Sequence, residues 1–169
     1  MFTPFKKFLI AASDDGIEHS RDYSGQVDVH LTPASTESLL EVDELHFDVD
    51  FASDDPDHAD FLAGAALTNG FSIEIFDAED DSILDLTDGQ VIKTTQQLYL
   101  RATAPPIFFT FIDEYDPAHR VGKCVWKFKE PLIIRAGESL RVVFEDDLSG
   151  VASAIYITAH GRAKAAISV

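Results

Sequence analysis

Six histidines, one cysteine and thirty carboxylate side chains are the residues of this 169-residue chain with the most chemistry to offer. Asp77, Glu79, Asp81, Asp85 and Asp88 fall at several offsets of a calcium-binding loop. Ser82 stands at the sixth position, where the sharp turn wants Gly, and Asp88 at the twelfth, where a bidentate Glu is usual. A solvated acidic turn is the plainer reading. Asp54, Asp55, Asp57, His58 and Asp60 crowd a second stretch with oxygen donors for a divalent ion, but such loops are common in acidic proteins without one.

The histidines are His19, His30, His46, His58, His119 and His160, and no two of them stand two residues apart. A His-x-His ligand pair of the cupin type is therefore missing. His46 and His160 belong to strand-like segments, on faces expected to meet solvent or another subunit, and only convergence of distant strands would join them. Cys124 lies near His119 and Asp116, but a nucleophile needs its base close in space and oriented by a third group. Cysteine entering a strand is more often a small buried apolar residue. Trp126 and Tyr23, Tyr99, Tyr115 and Tyr156 are candidates for a sugar-stacking surface, with a core or interface place for Trp126 the simpler expectation. Phosphate-cradling Gly loops, zinc knuckles and serine elbows are lacking from the sequence. No catalytic residue, cofactor site or metal site is assigned.

The elements that must carry these residues are strands. From Gly122 to Gly161, β-branched, aromatic and large aliphatic residues alternate with polar ones between turn signals. Pro131 cannot donate to a ladder and marks an edge, a bulge or a break between Phe128 and Leu132. Ala136-Gly137 is a turn, and Leu140, Val142 and Phe144 then share one face opposite Arg141 and Val143. After a turn over Asp146–Gly150, Ile155, Ile157 and Ala159 alternate with Tyr156 and Thr158.

Upstream, Gln26–Leu31 is a short strand, and Pro33–Leu40 resembles a connection with one helical turn. Leu45, Phe47, Val49 and Phe51 alternate with His46, Asp48 and Asp50, the pattern of a half-buried strand with its odd side in the core. Ala52–Ala66 is a long acidic connection with Phe61 and Leu62 as candidate anchors. Strands follow at Phe71–Ile75, Ile83–Leu86, Val91–Thr95, Gln97–Thr103 and Ile107–Ile112. The class is all-β: a single-domain antiparallel β-sandwich or jelly-roll barrel of about eight to ten strands. Residues 1–15 read as an N-terminal arm and 16–169 as the sandwich domain.

Composition agrees with one packed domain: 46% of residues are hydrophobic, thirteen of them Phe. A lone cysteine rules out an intramolecular disulfide, which fits a reducing cytoplasm. No segment approaches membrane-span length, and the apolar run after Lys6 and Lys7 is too short for a signal peptide. The net charge is −17 and unevenly spread: nineteen of the thirty acidic residues lie between Asp22 and Ile92, where there is no Lys or Arg. Such a surface repels phosphate, so direct nucleic-acid binding is not expected. The locally basic, aromatic start, with Phe2, Phe5, Lys6, Lys7 and Phe8, either packs on an acidic neighbour or adds an edge strand to its own sheet. These five residues and Phe61 are the candidate interface.

The fragment LIIRAGESLRVVFEDDLSGVASAIYITAHGRA resembles the last strands of small jelly-roll virion proteins. In those a G-E/D-S-L turn opens one strand and an aYIxAxG strand ends the barrel. The families are the single-barrel capsid subunits of internal-membrane DNA viruses and the head-decoration or spike proteins of phages. The resemblance implies a non-enzymatic shell subunit in the virion, made in the host cytoplasm. Its partners would be copies of itself and other virion proteins, with contact to an internal membrane open. The alternatives are a sandwich module binding a glycan or receptor, and a cupin-like metal enzyme.

Overall fold

The computed structural model describes residues 1–9, 27–51, 68–93, 97, 109–116, 121–146 and 152–167. Among them are nine strands: β1 (Phe2–Phe8), β2 (Val27–Leu31), β3 (Glu37–Phe51), β4 (Phe71–Phe76), β5 (Ser82–Asp85), β6 (Phe109–Asp116), β7 (Val121–Arg135), β8 (Ser139–Phe144) and β9 (Ala152–Ala165). They form two antiparallel sheets, one of five strands in the order β1-β9-β3-β7-β6 and one of four in the order β2-β8-β4-β5. The pairings nest along the chain: β1 with β9, β2 with β8, β3 with β7, and β4 with β5. β6 is added outside β7.

The sheets pack face to face on one apolar core. Alternation supplies it, as a pleated strand with one wet face requires. Leu45 and Phe47 of β3, Ile157 and Ala159 of β9, and Cys124 and Trp126 of β7 enter from the larger sheet. Val29 and Leu31, Phe71, Ile73 and Ile75, and Leu140, Val142 and Phe144 enter from the smaller one. Phe47 and Trp126 meet at 5.4 Å between ring centroids, and Phe71 and Phe144 at the same distance. The β-sandwich class expected from the alternation is what the chain adopts.

Several elements differ from the expectation. Glu37–Leu40 is not a helical turn but the start of β3, with Leu40 and Val42 already in the core. Of the strand expected at Val91–Thr95, the described part contributes a single bridge, Ile92 with Phe71. The basic start is an edge strand of its own sheet: Phe2 is opposite Lys164 and Phe8 opposite Thr158. Residues 98–103, Phe61 and the Asp54–Asp60 cluster lie outside the described residues. No helix among the described residues is long and apolar enough to cross a membrane, which leaves membrane-crossing strands unaddressed.

Candidate functional site

A β-bulge in β3 builds the one group of histidine and acidic side chains among the described residues that is close enough to share an ion. Leu40 and Val42 point into the core, and so do Leu45 and Phe47. Strict alternation cannot place both pairs on one face. The register shift between Val42 and Glu44, which leaves Asp43 as the extra residue, resolves the conflict. It turns Glu44 and His46 onto the outer face of the five-stranded sheet. On β9, His160 lies between inward-facing Ala159 and Gly161, so it takes the outer face as well, directly opposite Glu44.

Gly161 makes this approach feasible. A Cβ at that position would sit 1.9 Å from the carbonyl oxygen of Glu41 and 3.0 Å from Cα of Val42. Only a residue without a side chain lets β3 and β9 come this close at the bulge.

The three side chains are in mutual reach, with one ligand atom from each of Glu44, His46 and His160 within 4.8 Å of the others. Oε2 of Glu44 is 2.7 Å from Nε2 of His46. The two imidazoles stack nearly parallel, with centroids 4.1 Å apart and planes 7° apart. Nζ of Lys127, opposite Glu44 on β7, is 3.2 Å from Oε1 of Glu44. Nε2 of His160 is buried and has no hydrogen-bond partner. Around them the outer face is partly shielded, since Thr158 and Val125 are 3% and 5% exposed although both flank His46 on this side.

The charges are tuned accordingly. The hydrogen bond with His46 holds the Glu44 carboxyl below its ordinary value; burial opposes this, and Lys127 adds to it. Burial pushes the His160 imidazole below its ordinary value; His46, Lys6 and Lys123 push the same way while Glu44 opposes. His160 is thus neutral at neutral pH, and Glu44 is ionised. Two nitrogen donors and one carboxylate oxygen are a donor set for borderline divalent ions rather than for calcium or magnesium.

The other sequence candidates are placed differently. Oδ1 of Asp77 accepts from the backbone N–H groups of Glu79 and Asp81. Asp85 accepts from the N–H and hydroxyl of Thr87 and from the N–H of Gly89. Asp80 and Asp88 hold positive φ values of 71° and 56°. The carboxylates of Asp77 and Asp85 thus hold two turns, the use that turns commonly make of Asp. Cys124 is buried in the core opposite Phe47, and His119, the base considered for it, lies outside the described residues. Trp126 is fully buried as well, so it offers no sugar platform.

Of the candidate interface, Phe2 and Lys6 are exposed on β1. Lys7 pairs with Glu37, Phe5 packs against the core, and Phe8 is half-buried. The histidine pair escapes a reading of the sequence because His46 and His160 meet only through strand register. The local clue is Glu44-Leu45-His46, a carboxylate and an imidazole two apart on one strand. No protein-family model matches the chain, and a search of curated proteins finds no significant match.

Proposed function

We propose that this protein is a structural subunit of a virus or phage particle, a jelly-roll shell protein that assembles by symmetric contacts and makes or breaks no bond. The observation that carries the reading is the nested pairing of β1 with β9, β2 with β8, β3 with β7 and β4 with β5. A long antiparallel hairpin rolled over on itself produces this order, and double-sheet jelly rolls serve in capsids, lectins and cupins. Within that group, the interior favours a structural role. It is filled by Trp126, Phe47, Phe71 and their neighbours, while the histidines that converge do so on the outside.

The surface supports assembly. β1 ends the larger sheet, and an edge strand presents unpaired backbone groups that another chain can use. Exposed Phe2 and Lys6 stand on that strand, and the acidic half of the chain offers a partner of opposite sign on a second copy. Virion partners and a membrane-lined particle are extensions of the same reading.

The lectin-like module is the second reading, because a jelly roll suits it equally. Electron microscopy of concentrated protein separates the two. Rings, sheets or closed shells of uniform curvature are expected for a shell subunit. Dispersed single particles, together with binding on a glycan array, would replace the first reading by the second.

A further inference from the structure

We propose that Glu44, His46 and His160 form a binding site for a late first-row divalent metal ion of the zinc class, held on the outer face of the five-stranded sheet by three protein ligands. The site is contained in one chain and is independent of how the subunit assembles.

Three observations carry it. First, the donor atoms already lie within 4.8 Å of one another. Ligands about 2.0–2.1 Å from a tetrahedral ion stand about 3.3 Å apart. Only side-chain adjustment of an ångström or so is needed. The stacked imidazoles, with centroids 4.1 Å apart and nearly parallel planes, must tilt to bring one nitrogen of each to a common point; the soft terminal torsion of His permits that. Second, Nε2 of His160 is buried without a partner. A buried polar atom left unsatisfied is costly, and a metal ion supplies the missing partner. Third, Lys127 already holds the second oxygen of Glu44, 3.2 Å away. That contact leaves Oε2, the atom beside His46, to face the ion as a single-oxygen ligand, the role that outer-shell partners play in metal sites.

Binding exchanges the Glu44–His46 hydrogen bond for two metal–ligand bonds, and the proton that Nε2 of His46 donates to the carboxylate passes to Nδ1 or to solvent so that the Nε2 lone pair is free. The ion needs at least one further ligand, which water can supply. The nearby ammonium groups of Lys6 and Lys123 offset part of the attraction, so nitrogen-loving ions are favoured over those held by charge alone.

The test is titration of the intact protein with Co²⁺, followed by its visible absorption and by proton NMR, and with Zn²⁺ by calorimetry. One ion per chain is expected, with the intense bands of a four- or five-coordinate Co²⁺ site. Two strongly shifted imidazole resonances should appear in the unaltered protein, a readout that needs no variant. His46→Phe and His160→Phe keep an aromatic ring in the stack and should each weaken Zn²⁺ binding by at least about tenfold, since loss of an outer-shell partner alone costs roughly 10–100-fold. Asp77→Asn, in a distant turn, should leave affinity unchanged. Absence of binding, binding without shifted imidazoles, or undiminished affinity in either Phe variant would each overturn the assignment.

Discussion

Gly161 and Asp85 show how single residues set this fold. At Gly161 the obstacle to any side chain is backbone, the Glu41 carbonyl 1.9 Å from a would-be Cβ, and backbone in the middle of a sheet cannot move aside cheaply. Gly161→Ala should therefore destabilise the protein by about 2–3 kcal/mol in urea denaturation, the upper range for overpacking. A loss within about 0.5 kcal/mol, typical of surface changes, would show that β3 and β9 are not so close.

Asp85 works through charge. Burial alone would raise its carboxyl, but hydrogen bonds from Thr87 and from the backbone of Gly89 and Asp88 outweigh this and bring it below its ordinary value of 3.8. Its folded pKa is thus below the unfolded one. The stabilisation is complete above the unfolded value and disappears as pH falls through the folded value. Asp85→Ala should cost about 1 kcal/mol near pH 7, allowing for partial exposure, and the gap should begin to narrow at about pH 4 and close only below the folded value. An equal gap at neutral and acid pH would contradict the hydrogen-bonding account.

At the scale of elements, alternation is a reliable guide where a strand runs undisturbed. β2, β4 and β8 are legible because Val29 and Leu31, Ile73 and Ile75, and Leu140 and Val142 each repeat at a spacing of two. β3 is only half legible. Its bulge shifts the apolar phase at Asp43, so Leu40 and Val42 fall out of step with Leu45 and Phe47, and the first part looks like a connection. Bulges depend on the partner strand, which no local pattern reports. Pro131 does point to an irregularity, and it lies in the stretch of β7 between Lys127 and Leu132 where the register with β3 shifts. The candidate site shares the blindness of the bulge: Glu44, His46 and His160 converge only because β3 and β9 pair in this register.

β1 separates stability from contact. Leu9, just past its end, is buried and donates its N–H to the carbonyl of Ile157, whereas Phe2 near its start is 41% exposed. Leu9→Ala should lose about 2–3 kcal/mol. Phe2→Ser should change stability by less than about 0.5 kcal/mol. Comparable losses in thermal or urea unfolding would mean that the first residues dock as a unit.

At the scale of the whole molecule, an 18.6 kDa sandwich with a net charge of −17 repels its own copies at low salt. In the assembly proposed above, association would rest on strand edges and on contacts between the basic β1 and acidic surface. Screening acts on both: it relieves the long-range repulsion first, because short contacts at a dry interface are screened less. Size-exclusion chromatography with light scattering, run over a series of protein and salt concentrations, tests the assembly reading most directly. The account predicts discrete multiples of 18.6 kDa that grow with concentration and appear more readily once salt screens the charge. A mass fixed at 18.6 kDa under every condition would contradict it.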